Sequence, residues 1–170
     1  DELALAGLVA TKHIYIEKPL SLSLTGAHAI RDAAKSAQRQ VMVGHLIRYH
    51  SAFIELQKQL AAGAIGSLCH VQANRLAMGR IRTTESVLFD LCPHDLSLIL
   101  ALVGDLPNNI HCVGASHITP GVVDFLASFL GFDSGVSAGM QTSWLSPFKE
   151  HRLTVTGSAG ALVFDDTKPW

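Results

Sequence analysis

Cysteine is scarce: three residues, Cys69, Cys92 and Cys112, with no C-x-x-C spacing among them. The odd number excludes a closed disulfide framework, and the spacing offers no structural zinc motif. Charge is scarce as well. Charged residues make up 16% of the chain, 13 basic against 14 acidic, for a net charge of -1, and no basic stripe interleaves with aromatics, so nucleic acid is not an expected partner. The longest apolar run, "LSLILALVG", falls well short of the roughly 20 residues of a membrane span, and no basic segment with a cleavage site opens the chain. The reading that follows is a cytoplasmic protein, with no membrane partner, that keeps its thiols reduced. Phosphate-binding glycine loops are missing too: Gly63 to Gly66 and "GSAG" match neither G-x-G-x-x-G nor G-x-x-x-x-G-K-[ST] and read as turns.

Apolar residues, by contrast, are plentiful at 48% of 170 residues, enough to bury one substantial core in a chain also short enough to be a piece of a larger protein. "DELALAGLVATKH" carries Leu3, Leu5, Leu8 and Val9 at partly helical spacing and runs into the β-rich "HIYI". After Pro19, Leu24, Ala27, Ile30 and Ala34 form a helical stripe, and "VMVG" at 41–44 reads as a second buried strand. Such αβαβ alternation implies parallel strands with helical crossovers. Residues 50–62 predict an amphipathic helix with Phe53, Ile54, Leu56 and Leu60 inward, closed by the Gly63 to Gly66 turn. From residue 68 the period changes to two, and strands dominate, separated by turn signals at 119–121, 133–135, Ser146-Pro147 and 157–160. One helix, "PHDLSLILALVG", interrupts them. The predicted fold is α/β: part of a Rossmann-type parallel sheet over residues 1–47, then over 48–170 an incomplete α+β domain for substrate binding and oligomerisation, with a large, mostly antiparallel open sheet. One face of that sheet, with Phe125, Phe129, Val136, Met140 and Trp144 by alternation, is apolar enough to require a partner, and a homo-oligomer is expected.

Chemistry-bearing residues cluster at element ends. In "YIEKPLSLS", Glu17 and Lys18 stand at the carboxyl end of a parallel strand, where open α/β sheets bind ligands; the alternative is a pair of solvated loop charges. In "FDLCPHDLSLI", Pro93 suits a helix first turn. His94 then meets the positive end of the helix dipole, which favours neutral imidazole, and Asp90, four residues earlier, can fix its tautomer. The alternative is that Asp95 and Asp90 only complement the dipole while His94 packs. "GHLIRYH" sets His45, Arg48 and His50 just after a strand, with Arg48 facing a ligand or, as the alternative, making an interdomain salt bridge or a hydrogen bond to a carbonyl. "NRLAMGRIRTTES" gathers Arg75, Arg80 and Arg82 in a stretch read as poor in counter-charge, for an anion or for solvent. The alternation of Asp90, Cys92 and His94, with His45 or His50, also admits a metal-dependent hydrolase or lyase, although Pro93 and the helical pattern break the extended geometry it needs. A non-catalytic association module stays open as a third reading.

Taken in order, the strand-"EKP"-helix unit, "VGHLIRYH", "FDLCPHDLSLI" and "SWLSPFKEHRLTVTGSAGALVFDD" resemble the Gfo/Idh/MocA family of NAD(P)-dependent sugar oxidoreductases over residues 3 to 166. The resemblance implies a dehydrogenase that moves a hydride between a sugar or nucleotide-sugar hydroxyl carbon and NAD or NADP. It implies Lys18, Asp90 and His94 as the catalytic set. Glu17, Lys18, Pro19 and Arg48 would meet the cofactor, and Lys18, His45, Arg80, Arg82 and His94 the substrate, a sugar or UDP-sugar whose phosphate the two arginines would contact. It also implies a cis bond before Pro19 and no metal. Three departures stand out: Ser97 replaces the family's aspartate three positions after the histidine, Pro93 stands before the histidine where the family often has a small or aliphatic residue, and the upstream phosphate loop is missing, so the chain reads as an internal fragment expected to bind the dinucleotide poorly.

Overall fold

The computed structural model describes residues 1–79 and 81–168. Arg80, expected to contact substrate, lies outside the described residues. The chain divides into two compact units, Asp1–Leu46 and Ile47–Trp170.

The first unit runs α1 (Glu2–Val9), β1 (Ile14–Ile16), α2 (Leu24–Ala37) and β2 (Val41–Val43). The strands pair in parallel, Ile14 opposite Val41 and Ile16 opposite Val43, as the helical crossover between them requires. Ser23 starts α2 because its hydroxyl accepts a hydrogen bond from the Gly26 N–H at 3.0 Å, satisfying one orphan donor of the first turn. A small core of Ala4, Leu8, Ile30 and Ala34 joins the two helices. Leu3 and Val9, included in the sequence stripe, are 89% and 83% exposed. The inward row of α1 is instead Ala4 and Leu8, four residues and one turn apart, and Leu24 of α2 is likewise exposed.

In the second unit a 3-10 turn ending at Tyr49 leads into α3 (Ser51–Ala61), followed by β3 (Leu68–Met78), the short α4 (Val87–Asp90), α5 (Cys92–Val103), β4 (Asn109–Ala115), β5 (Phe125–Gly131), β6 (Ser137–Ser143), β7 (Leu145–Gly157) and β8 (Ala161–Asp165). The six strands order as β4-β5-β6-β3-β7-β8. Only β3 and β6 run parallel among these neighbours; the rest are antiparallel. Helices α3 and α5 cover one face: Phe53 and Leu56 of α3 and Cys92, Leu98 and Ile99 of α5 pack on Val71, Ala73, Leu130, Ala138, Met140, Leu153 and Val155. Each large side chain removed from water there contributes about 1.5–3 kcal/mol. Ile54, expected inward, is 38% exposed, since it lies about 100° around the helix from Phe53.

Two strand expectations need correction. Ser146-Pro147, read as a turn, lies inside β7. The register with β3 jumps there, from Leu76 opposite Glu150 to Met78 opposite Leu145, so residues 146–149 bulge out and Pro147 owes no N–H to the ladder. The five residues assigned to one apolar face also split. Met140 stands opposite Ser128 and Phe129 opposite Gly139, and residues alternate faces along a strand. Met140, 5% exposed, therefore belongs to the core under the helices, whereas Phe129, 46% exposed, points to the other side. Alternation counted through the 132–136 turn loses its phase, because the turn rather than the strand sets the register.

Candidate active site

In the first unit, the residues after β1 and β2 share the carboxyl end of the parallel pair. Lys18 is half-buried and Glu17 exposed, and the Lys18–Pro19 peptide bond is cis. The Tyr15 hydroxyl donates to Glu17 Oε1 at 3.4 Å. Gly44, directly after β2, is buried against these groups: a Cβ there would stand 2.7 Å from the Tyr15 hydroxyl and 2.9 Å from Glu17 Oε2. Its own N–H donates to Ile16 O at 2.7 Å, and the next residue, His45, is half-buried. Glycine at 44 thus lets the second strand end tuck under Glu17, a role the sequence reading passed over although the "VG" after a strand signalled a close backbone approach. Residues bearing an ammonium, a carboxylate and an imidazole thus follow the carboxyl ends of the two parallel strands, where open α/β sheets bind ligands.

In the second unit the corresponding chemistry stands on α4 and α5. Leu91, between the two helices, keeps right-handed helical angles, φ -105 and ψ -43, and the His94 N–H donates to Leu91 O at 3.2 Å. Asp90 and His94 are therefore one helical turn apart on one side, the spacing at which side chains meet. Cys92, two residues on, turns the opposite way into the core, 3% exposed. Burial, followed by the charge of Asp95 and by Cys112, pushes its thiol up to about 12. A thiol so reluctant to ionise is a poor metal ligand, and among the described residues no three His, Cys, Asp or Glu side chains gather to hold a metal ion.

Trp144, which the sequence reading treated only as an apolar residue, holds Asp90. It occupies the corner where β6, on one side of β3, turns into β7 on the other. It is 2% exposed, and its indole Nε1–H donates to Asp90 Oδ2 at 3.2 Å; a buried tryptophan N–H requires such a partner, which is the signal that could have found it. The corner is tied in turn to Asp124: the Trp144 N–H and the Ser143 hydroxyl both donate to the Asp124 carbonyl. The Asp124 carboxylate, 1% exposed, accepts from the backbone N–H groups of His117 and Ile118 at 2.7 and 2.9 Å and from His117 Nδ1 at 2.8 Å. Burial works to raise its pKa, but these donors outweigh it and hold the carboxyl below the usual range. Val87, Leu126 and Trp144 form a small core beneath α4.

The arginines fall out differently from expectation. Arg75 is neither solvated nor open to an anion. It lies in β3 in phase with Val71 and Ala73, 5% exposed, and its guanidinium forks onto Asp95, Nε reaching both carboxylate oxygens at 3.0 Å and a terminal nitrogen reaching Oδ1 at 2.8 Å. Asp166 stands 3.4 Å from its other terminal nitrogen. Burial works against the guanidinium, and the two carboxylates outweigh it, keeping Arg75 protonated. Asp95, read as a dipole complement, is thus an ion-pair partner. Arg82 lies 3.8 Å from Glu85 and 3.6 Å from Asp90, so its stretch is not poor in counter-charge: Glu85 is only three residues on. Arg48 is exposed and lines a recess with Leu100, Gly104 and Leu106. That is the carboxyl end of α5, whereas His94 is at its amino end, and the structure does not bring the two together. Ser97 donates its hydroxyl to His94 O at 2.7 Å, a bond within the helix.

Residues 1–45, with parallel strands and polar carboxyl ends, match the family model described as "Oxidoreductase family, NAD-binding Rossmann fold"; the fold of this part is Rossmann-type. Residues 53–163 match the model described as "GFO/IDH/MocA C-terminal domain", and the chain belongs to the Gfo/Idh/MocA oxidoreductase family. It is 27% identical to 2,7-anhydro-N-acetylneuraminate hydratase of Escherichia coli (strain K12), over 91% of this chain and 45% of that one. It is 29% identical to UDP-N-acetylglucosamine 3-dehydrogenase of Acidithiobacillus ferrooxidans, over 83% of this chain and 44% of that one. An inositol dehydrogenase homolog from Azotobacter vinelandii, solved with NADH and myo-inositol, superposes with a TM-score of 0.89 at 20% identity, covering 98% of this chain and 48% of that one; this is a likeness of fold. The chain spans about half the length of the curated relatives it matches. No helix among the described residues is long and apolar enough to cross a membrane.

Proposed function

We propose that this chain carries the proton-transfer machinery of a dehydrogenase that oxidises a ring hydroxyl of a sugar or polyol with NAD or NADP. The observation that carries the reading is the Asp90–His94 spacing of one turn at the head of α5, with Asp90 held by the Trp144 indole, in a chain of an oxidoreductase family. The bound nicotinamide supplies the hydride acceptor. The side chains do the rest. His94 takes the hydroxyl proton, and Asp90 fixes the imidazole tautomer and stabilises the imidazolium. The Lys18 ammonium, at a strand end of the first unit, serves as the cation that offsets negative charge developing on a substrate oxygen, while Glu17, Pro19 and His45 serve cofactor and substrate contacts. Arg75 and Arg82 both have carboxylate partners, which favours an uncharged ring polyol over a UDP-sugar.

The residues before 47 serve as the dinucleotide-binding part in this reading, and those after it as the substrate and association part. Copies associate through the sheet face opposite the helices, where Val113 and Phe129 are 71% and 46% exposed. Free thiols at Cys69, Cys92 and Cys112 suit the reducing cytoplasm.

The test is reduction of NAD and NADP by the natural full-length enzyme across a panel of inositols, aldoses and UDP-sugars. His94→Ala and Lys18→Ala are each expected to lower kcat by about 10²–10⁴-fold; native turnover in both variants would remove the assignment.

A further inference from the structure

We propose that the buried Arg75–Asp95 pair, extended through Asp166 to His151, is a positioning device that sets the first turn of α5 and with it the direction of the His94 imidazole. The inference rests on the reading of His94 as proton acceptor and adds how the fold aims it.

Helix α5 offers the sheet mainly apolar side chains, Leu98 and Ile99 among them. Apolar contact is non-directional, so a helix held by it alone keeps freedom to slide or rotate by the fraction of a turn that would swing His94 aside. Asp95 removes that freedom. It follows His94 in the chain, is 3% exposed, and is gripped by the forked guanidinium of Arg75 through three contacts of 2.8–3.0 Å. A fork of this kind fixes angle as well as distance. Arg75 is itself fixed, since it projects from β3, the strand flanked by β6 and β7. Its remaining side is bounded by Asp166, which accepts from His151 Nδ1 of β7 at 2.7 Å. The grip therefore reaches α5 from β3, from β7 and from the segment after β8. Within the helix, the Leu91 carbonyl and the Ser97 hydroxyl hold the backbone N–H and carbonyl of His94.

Stability alone does not account for such a pair. Two desolvated charges rarely gain more than apolar side chains of the same volume would, and fixing a unique arrangement is the better-attested use. Both residues also occupy positions that the pattern reserves for apolar side chains: Arg75 falls in phase with Val71 and Ala73 on the inward face of β3, and Asp95 falls in line with Cys92 and Ile99 on the inward row of α5.

The experiment uses the natural full-length enzyme with Asp95→Asn, His94→Ala and their combination, and a second pair, Arg75→Met/Asp95→Leu, which removes both charges of the pair and leaves Asp166 its His151 partner. Kinetics are read beside thermal melting and the ring resonances of His94 by NMR. Asp95→Asn is expected to lower kcat on the order of 100-fold, the scale of a misaimed catalytic group, with substrate KM little changed and the His94 ring signals shifted. In the His94→Ala background the same substitution should change turnover no further. Arg75→Met/Asp95→Leu should melt near the native temperature and show the same loss. Native kcat in a folded Asp95→Asn or Arg75→Met/Asp95→Leu enzyme, or an equal loss with and without His94, overturns the proposal. Native turnover of His94→Ala would instead strike the catalytic reading, and the His94 ring shift in Asp95→Asn would then still decide whether the pair aims the imidazole.

Discussion

At the scale of the residue, position within the fold decides what each reactive group can do. Cys92 shares its residue type with Cys69 and Cys112, yet it is buried and its thiol is pushed up to about 12, whereas the other two are exposed. Thiolate is the nucleophile. A thiol reagent at pH 8 is therefore expected to modify Cys69 and Cys112 in the native protein and Cys92 only on unfolding, as mass spectrometry of the labelled peptides would report. Asp124 gives a second residue-scale test. Its carboxyl is held below the ordinary value by His117 and Ile118. A depressed folded pKa contributes stability that is present above the unfolded pKa, about 3.9, and lost as pH falls through the folded value. Asp124→Asn should cost about 1.5–3 kcal/mol at neutral pH, the worth of hydrogen bonds to a charged group. The gap to the native protein should close in denaturant titrations below about pH 4, and a gap independent of pH would refute the ionised reading.

At the scale of the element, turns and corners carry more information than strand interiors. The turn between β7 and β8 folds back on the loop before β3: the Ser158 and Ala159 N–H groups donate to Ser67 O and Ile65 O at 2.9 Å. A Cβ at Gly157 would overlap the Ile65 carbonyl oxygen, which is backbone and cannot swing away. Gly157→Ala is expected to cost about 1–3 kcal/mol, the range for overpacking, read as a lower urea midpoint at unchanged slope. The glycine-rich "GSAG" was legible as a turn, but the loop it meets, some ninety residues earlier in number, was not, because a turn signal specifies local angles and says nothing of what docks on it. The Asp90–His94 spacing was legible too, since a helical period can be counted. The Trp144 contact to Asp90 was not: it spans 54 residues of sequence and exists only because β6 crosses the end of β3.

At the scale of the whole molecule the two units differ in what holds them. The first has a two-stranded sheet and a core of Ala4, Leu8, Ile30 and Ala34, two of the four being alanines. The second has six strands and a core of much larger side chains, with Phe53 and Ile99 fully buried. Local opening follows contact density and buried apolar area. Hydrogen exchange followed by mass spectrometry should therefore find the amides of β3, β6 and β7 slowest and those of β1 and β2 exchanging earlier; equal protection in both sets would contradict this account.

The sequence by itself determined the element types, the change from a helical to a two-residue period near residue 68, and the polar ends of the first two strands, because these depend on spacings within a dozen residues. It also carried the family likeness through short ordered motifs. Only the tertiary structure decided that Arg75 is spent on Asp95, that Arg82 faces Asp90, that Met140 and Phe129 occupy opposite faces, and that Trp144 holds Asp90. Each of these depends on which strands lie side by side and in what register, and burial then turns a charge or an indole N–H into a demand for one particular distant partner.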